Sequence, residues 1–196
     1  MSQPSNRLST LSVSIGLAFL VGAGAAAAQG TSTSSSNMKA GTSASVPAAD
    51  KAFVEKAAVG GMAEVRMGKM AQQKGSSDQV KQFGARMVDD HSKANDELKK
   101  IASSKGITLP TDLDAKHKSK MEKMQKLSGA QFDRAYMDDK VADHKQDVAE
   151  FRKEANSGKD SDIKAFAAKT LPTLEDHLKM AQSTDAAVKG SKSASR

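Results

Sequence analysis

VKQFGARMVDDHSKANDELKKIA, from Val80 to Ala102, shows the periodicity of this chain most clearly. Apolar and small residues recur in it at alternating steps of three and four, which is the spacing of the buried face of a packed helix. His91 lies in the middle of that face, where the pattern calls for an apolar residue. The stretch therefore predicts a long helix with a buried histidine. We call the residues of such a face a seam, and this seam consists of Val80, Gly84, Met87, His91, Ala94, Leu98 and Ile101.

Three other stretches of the chain repeat this spacing. Each of them also has one polar residue near the middle of its seam: Glu64 in the first predicted long helix, His144 in the third and His177 in the fourth. The seams are Phe53, Ala57, Gly60, Glu64, Met67 and Ala71; Met137, Val141, His144, Val148, Phe151 and Ala155; and Ile163, Ala167, Thr170, Leu174, His177 and Ala181. The sequence thus predicts four long helices that bury one polar residue each.

The segments between these helices predict how the helices are connected. Residues 74–78 and 156–160 each combine a glycine with a candidate N-cap residue, as in short helical hairpins. Residues 105–129 are longer and contain a fifth, shorter helical pattern with Leu113, His117, Met121, Met124 and Leu127. A connection of that length can return along the bundle, so the second and third long helices can run parallel.

The composition also favours helices over sheets. Hydrophobic residues make up 38% of the 196 and aromatic residues only 4%, while Ala, Lys and Met are frequent. There is no Cys, so disulfides are excluded and helix packing must stabilise the fold. The length is that of one domain.

The ends of the chain are predicted to lie outside this domain. Residues 1–28 combine Arg7, the run VSIGLAFLVGAGAAAA and an A-x-A site at Ala26 to Ala28, which indicates a signal peptide. An uncleaved anchor is the alternative, but the run is shorter than the roughly 20 strongly apolar residues of a spanning helix. We therefore expect export to the periplasm or outer envelope of a bacterium, with no transmembrane span in the mature chain.

The remaining boundaries follow from composition. Residues 29–48 are rich in Ser, Thr and Gly and predict a disordered linker, and residues 189–196 predict a disordered basic tail. The folded domain is predicted over residues 49–188.

The charge of the chain limits its partners. The formal net charge is +7, but Lys alternates with Asp and Glu along the predicted helices, as on solvated faces. With export and few aromatic residues, a nucleic-acid partner is not expected. Weak contact with anionic envelope components is compatible with the positive charge, and we expect a monomer or a weak oligomer.

Four segments resemble, in order and spacing, an exported bacterial family of unknown function that is often labelled outer-membrane protein. The segments are AAVGGMAEVRMGKMA, QFGARMVDDHSKANDELKKIA, GAQFDRAYMDDKVADHKQDVAEF and LPTLEDHLKMA. The resemblance covers nearly all of residues 49–188 and implies an envelope protein without a defined reaction. Together with the periodicity, it predicts an all-α fold: a ferritin-like four-helix bundle with an additional short crossover helix between the second and third long helices.

The four polar seam residues are candidate metal ligands. Counting from the predicted helix ends, at roughly 1.5 Å per residue, places Glu64, His91, His144 and His177 at similar depths in the bundle. Three imidazoles and a carboxylate are able to hold one Zn, Fe, Mn or Cu ion. These residues predict an envelope protein that binds metal or is related to metal or oxidative stress.

A ferroxidase-type di-iron site is not expected. Such a site needs Glu-x-x-His on two helices. The residues three positions before the histidines are apolar: Val88, Val141 and Leu174. The residues directly before them are Asp90, Asp143 and Asp176. Because neighbours on a helix point about 100° apart, these carboxylates are not expected to orient their own histidines, although they can reach an adjacent helix.

A structural interpretation of the same residues stays open. The imidazoles can instead belong to a hydrogen-bonded core network with Tyr136, Asp139, Asp143 and Glu64. The chain would then be a non-catalytic envelope stress or interaction protein whose histidines only specify the packing.

Other candidate residues favour packing over chemistry. Met62, Met67 and Met70 could offer thioethers to Cu(I), but methionine at seam spacing is typical of helical cores. Tyr136 is interpreted as a hydroxyl at the core edge rather than a redox group, and His117 as a boundary residue of the short helix. Motifs of nucleophilic, phosphate-binding or His-Glu-x-x-His enzymes do not occur in the sequence.

Overall fold

The computed structural model describes residues 45–190, and these form five helices. They are α1 (Ala48–Lys74), α2 (Asp78–Ser104), α3 (Ala115–Gln125), α4 (Gly129–Ser157) and α5 (Ser161–Gly190). The predicted all-α class is confirmed, since the described residues contain no strand. The short crossover helix, α3, lies between the second and third long helices as predicted. The predicted signal peptide, most of the predicted linker and residues 191–196 lie outside the described residues.

The helical domain is slightly longer than the predicted limits of 49 and 188. Helix α1 begins at Ala48, and α5 continues to Gly190. The extension of α5 includes Lys189, whose ammonium group pairs with Asp138 at 2.5 Å and with Asp185 at 2.7 Å. The predicted basic tail therefore starts inside α5, and its first lysine pairs with Asp138 on α4.

Each of the two helical hairpins is closed by a buried aspartate from the other hairpin. The Asp133 carboxylate, on α4, accepts hydrogen bonds from the backbone N–H groups of Ser76 and Ser77 before α2. The Asp50 carboxylate, on α1, accepts from the backbone N–H groups of Lys159 and Asp160 before α5. The first N–H groups of a helix have no partner within the helix, and these carboxylates accept hydrogen bonds from such groups. Their negative charge also interacts favourably with the positive N-terminal end of the helix dipole.

Cross-helix contacts define the directions of the long helices. Between α2 and α5, Asp90 meets His177 and Glu97 meets Lys169, so the residue numbers rise on one helix as they fall on the other. The two helices are therefore antiparallel. Between α1 and α4, Glu64 meets Lys140 and Lys56 meets Glu150, which makes this pair antiparallel too. Because α1 and α2 form a hairpin, α2 and α4 run parallel, as the long crossover connection predicts.

Helices α1 and α2 approach each other closely at two glycines. A Cβ atom at Gly68 would lie 2.6 Å from the carbonyl oxygen of Gly84, and one at Gly84 would lie 2.7 Å from that of Gly68. No side chain larger than hydrogen fits at this crossing. The core is filled on one side by Met, Phe and Tyr side chains and on the other by a smaller cluster around Leu98, Ile163 and Phe166.

The predicted seam of α1 is shifted by one residue in its first half. The structure buries Val54, Ala58 and Gly61, while Phe53 and Ala57 are only partly buried. The Phe53 ring instead packs edge-on against Phe151 on α4, with centroids 4.9 Å apart. A period of 3.6 residues places two adjacent positions, here Phe53 and Val54, near the core. The smaller Val54 lies inside the core, and the Phe53 ring lies at its edge.

None of the helices between residues 45 and 190 is both long enough and apolar enough to cross a membrane.

Candidate metal centre

All four polar seam residues are buried, as the periodicity predicts. The exposed fraction of the residue is 3% for Glu64, 8% for His91, 0% for His144 and 1% for His177. Each lies near the middle of its helix, one on each of α1, α2, α4 and α5. Buried polar groups need partners, so the contacts of these four residues decide what the layer can do.

Three helices bring their histidines together at one point of the core. The ring centroids of His91 and His177, and those of His144 and His177, are 5.4 Å apart, and those of His91 and His144 are 5.9 Å apart. One ligand atom from each ring lies within 4.8 Å of the others. We call His91, His144 and His177 the histidine layer.

Two of these rings are oriented by hydrogen bonds on their outer side. Nδ1 of His144 lies 3.0 Å from the carbonyl oxygen of Lys140, and Nε2 of His177 lies 2.9 Å from the Asp90 carboxylate. Carbonyl and carboxylate oxygens only accept, so these two nitrogens carry the protons. The opposite nitrogen of each ring therefore has a lone pair available. Metal-binding histidines are held in the same way by carbonyl or carboxylate acceptors.

Each ring also has one buried nitrogen that no residue between 45 and 190 hydrogen-bonds. These atoms are Nε2 of His91, Nε2 of His144 and Nδ1 of His177, and we call them the open nitrogens. A buried polar atom without a partner costs about 1–3 kcal/mol. A cation bound between the three rings would give such nitrogens a partner and remove this cost.

Burial keeps the three imidazoles neutral. It lowers the pKa of His91 to about 3 and lowers the pKa of His144 and of His177 below the ordinary value, although the Glu64 carboxylate acts in the opposite direction on all three. A neutral imidazole is the form that binds a metal ion. The layer therefore presents its lone pairs throughout the neutral pH range.

Glu64 lies beside the histidine layer rather than in the converging group. Its Oε1 accepts a hydrogen bond of 2.6 Å from the Lys140 ammonium, while its Oε2 is buried without a partner among the described residues. Burial would raise the pKa of Glu64, but Lys140, His144 and His91 lower it to about 2. The group of ligand atoms within 4.8 Å contains the three histidines and does not include Glu64.

Lys140 is a core residue that the sequence pattern does not predict. The predicted seam of this helix passes through Val141, which is only partly buried, whereas Lys140 is fully buried. Burial would lower the pKa of Lys140, but the carboxylates of Glu64, Asp139 and Asp143 raise it well above its ordinary value. Its position four residues before His144 is the one sequence signal that places it on the buried face.

The Lys140 ammonium lies inside a network of opposite charges. It pairs with Glu64 at 2.6 Å, Asp143 at 3.2 Å and Asp139 at 3.4 Å. Lys120, on α3, pairs with Asp139 and Asp143 at 2.6 Å each. We call these five residues the Lys140 network. With three carboxylates and two ammonium groups, its formal charge is −1, which favours a cation nearby.

The predicted hydrogen-bond network around the histidines forms with other partners. The imidazoles bond the Lys140 carbonyl and Asp90, whereas the carboxylates of Asp139 and Asp143 pair with lysines. The Tyr136 hydroxyl is buried without a partner among the described residues, and its ring stacks on Phe132. The core lysine changes the predicted pairing, because an ammonium attracts carboxylates more strongly than a neutral imidazole does.

Asp90 fulfils the expectation that an aspartate before a histidine reaches an adjacent helix. It crosses from α2 to His177 on α5 and also binds the Arg86 guanidinium. Partial burial would raise its pKa, but the hydrogen bonds from Arg86 and His177 hold that pKa below the ordinary value. The carboxylate therefore stays charged and fixes the ring of His177.

The other candidates lie in the core or at the surface. Met67 and Met70 belong to the main core cluster, while Met62 packs near Leu113 in a separate small cluster. The three thioethers are thus distributed over two packing clusters. His117 hydrogen-bonds the N-cap residue Asp114 at the start of α3.

Fold and site together define an all-helical bundle protein with a buried three-histidine cluster. The chain belongs to the family described as Domain of unknown function (DUF4142), whose match spans residues 35–184. Neither a curated protein nor a solved structure was found to match it.

Proposed function

We propose that this chain is a metal-binding protein of the bacterial envelope that holds one divalent transition-metal ion between His91, His144 and His177. The observation that supports this most directly is the set of open nitrogens, one from each of three buried rings. Neutral rings, two outer-side hydrogen bonds and the neighbouring negative network all favour a bound cation.

The donor set favours some ions over others. Imidazole suits zinc, copper, iron and nickel, whereas manganese and magnesium prefer carboxylate oxygens. The nearest carboxylate, Glu64, already accepts from Lys140. We therefore propose Zn²⁺, Cu²⁺ or Fe²⁺ before Mn²⁺, with Glu64 balancing the charge of the ion from outside the converging group. Three protein ligands leave a fourth position of a tetrahedral ion free, as in catalytic rather than structural zinc sites.

The architecture belongs to the same proposal. Two antiparallel hairpins joined by one long crossover is the arrangement of ferritin-like bundles. The positions three residues before the histidines hold Val88, Val141 and Leu174, so bridging carboxylates are not provided there. We accordingly propose a mononuclear site in a ferritin-like bundle, and not a ferroxidase centre. Export is proposed from residues 1–28, and weak association with anionic envelope components from the net charge.

The experiment that tests this proposal measures the metal content of the exported chain. The full chain is expressed without a polyhistidine tag in a bacterium with a periplasm and purified from the periplasmic extract. Its intact mass is expected to correspond to a chain that starts at Gln29. Elemental analysis is expected to give about one transition-metal ion per chain, and the chelated protein is expected to bind Zn²⁺ on titration.

Matched variants separate the metal site from a purely structural layer. His144→Ala is expected to lose the ion, while His117→Ala, which changes a histidine at the surface of α3, is expected to keep it. If the purified chain holds no metal and the chelated protein binds none of the three ions, the histidine layer is structural. The chain would then fit the alternative of an envelope stress or interaction protein.

A further inference from the structure

The two sides of the histidine layer are packed differently. One side is covered by four buried residues, each three or four positions along its helix from a polar seam residue. They are Met67, Met87, Lys140 and Ala181, and each is at most 1% exposed. The Phe83 ring also meets His144 edge-on, with centroids 6.2 Å apart. These side chains close that side of the layer.

On the other side, one helical turn away, the bundle encloses a small cavity. Its lining includes Gly60 and Gly61 before Glu64, Asn95 after His91, Asp147 after His144 and Leu174 before His177. The ring of His91 itself contributes to the wall. Because one turn of helix rises about 5.4 Å, the cavity lies directly against the histidine layer.

The small residues of α1 account for this cavity. A Cβ atom at Gly60 would have no atom within 4 Å, so the space beside it is open. The cavity volume is about 40 Å³, which on the same measure holds about three water molecules. Its lining combines three phenylalanine rings and two leucines with the polar side chains of Lys56, His91, Asn95, Asp147, Glu150 and Thr170. The space therefore suits a molecule of two or three non-hydrogen atoms.

A groove between α2 and α5 leads from the surface toward this cavity. The groove has a volume of about 270 Å³, and it shares His91, Ala94, Thr170 and Leu174 with the cavity wall. Its rim includes the ion pair between Glu97 and Lys169, at 2.7 Å. Both side chains are substantially exposed, so this pair can open at little cost. These shared residues make the groove the candidate route from solvent to the cavity.

We infer that the cavity is a pocket for a small exogenous ligand, a neutral molecule or monoanion of two or three non-hydrogen atoms, which binds the metal ion at its fourth position. The inference rests on the proposed metal site, since the ligand needs the ion. It deepens that proposal, because it assigns the cavity and the open space beside Gly60 to ligand binding. Lys140 and the methionines block the opposite approach.

The test uses azide as the small probe and Co²⁺ as the ion. Co²⁺ bound by three imidazoles gives visible absorption that changes when a ligand joins it, so metal loading and ligand binding are read separately. In the wild-type chain, azide is expected to change this absorption in a saturable way, while benzoate, which exceeds the cavity, is expected to leave it unchanged. In Gly60→Val, the azide affinity is expected to fall about tenfold or more, because the added side chain fills the pocket.

The matched control is Gly190→Val, at the last residue of α5, where a Cβ atom also has no atom within 4 Å. This variant is expected to bind Co²⁺ and azide like wild type. Gly60→Ala serves as a milder second variant if circular dichroism shows that Gly60→Val does not fold. Co²⁺ loading without an azide response in wild type overturns the inference and leaves the metal site intact. Equal azide affinity in wild type and the folded Gly60 variant also overturns it. Absence of Co²⁺ loading would contradict the metal site itself, and with it the pocket.

Discussion

The histidine layer and the Lys140 network are neighbours in the same core, yet they satisfy their polar atoms differently. The Lys140 ammonium has three carboxylates within 3.4 Å. The three imidazoles instead keep one buried nitrogen each without a partner among residues 45–190. The Lys140 network also keeps Oε2 of Glu64 and Oδ2 of Asp139 without a hydrogen bond among the described residues, but it contains its own cations. The histidine layer has lone pairs and no cation of its own, which suits it to a ligand. The difference separates a structural region from a binding region.

The two regions are joined through one residue. The carbonyl oxygen of Lys140 accepts a hydrogen bond from Nδ1 of His144, while the Lys140 ammonium donates one to Glu64. The position of α4 therefore sets both the orientation of one imidazole and the pairing of the nearest carboxylate.

The largest expected effect comes from breaking the paired region. Lys140→Met keeps the length of the side chain but leaves Glu64 buried without its cation. Loss of one partner of a buried ion pair typically costs about 3–5 kcal/mol. We expect the free energy of unfolding, measured by urea denaturation of the metal-free chain, to fall by this amount.

Lys120→Met is the matched control for this substitution. Lys120 pairs with the carboxylates of Asp139 and Asp143, but its side chain is 23% exposed. Water can replace part of what it contributes, so its loss is expected to cost about 1 kcal/mol. Equal losses in the two variants would show that the burial of Lys140 does not distinguish the two lysines. In Lys140→Met/Glu64→Gln, part of the lost stability is expected to return, because the carboxylate charge is removed too.

The periodicity of the sequence predicted the four long helices and the burial of their central polar residues, because a helix of 3.6 residues per turn exposes one face to the core. It did not predict the register of the first half of α1, where Val54 rather than Phe53 is buried. Two neighbouring positions were compatible with the period there, and ring packing against Phe151 on a distant helix decided between them. Contacts between helices are not contained in the pattern of a single helix.

The candidate site was predictable in its histidines but not in its surroundings. Hydropathy assigns lysine to the surface, so the pattern favours Val141 over Lys140, although both fit the spacing around His144. The burial of Lys140 depends on carboxylates from three positions, one of them on another helix. Such a compensation becomes visible only when the helices are placed side by side.

The second expected effect uses pH to test the neutral state of the histidine layer. Burial lowers the pKa of His91 from 6.5 to about 3, so the unfolded chain takes up a proton first as the pH falls. The stability contributed by the neutral ring is complete above about pH 6.5 and is lost as the pH falls toward 3. Between pH 7.5 and 5, this loss amounts to about 2 kcal/mol for His91. The unfolding free energy of wild type minus that of His91→Leu, with a chelator present, is expected to become more negative by that amount as the pH falls from 7.5 to 5.

This comparison of two chains at each pH removes an opposing contribution. Burial raises the pKa of Asp147 to about 7, so its folded state binds a proton first and gains stability over the same pH range. Both chains contain Asp147, and its contribution cancels to first order. Val148→Ala, next to Asp147 on α4, changes no titrating group. The difference in unfolding free energy between wild type and this variant should be constant between pH 7.5 and 5. A constant difference for His91→Leu as well would contradict the neutral, buried imidazole.

The smallest expected effect concerns the hydrogen bond that orients His177. Asp90→Asn keeps an oxygen acceptor for the ring but removes the negative charge, which weakens the bond and the basicity of the opposite nitrogen. We expect the Zn²⁺ affinity to fall about tenfold, at the lower end of what such substitutions cause. Asp89→Asn, one residue earlier, is the matched control, because Asp89 is exposed and pairs only with Lys93 among the described residues. Isothermal titration of the two chelated variants compares them, and equal affinities would show that Asp90 does not position the ring for the ion.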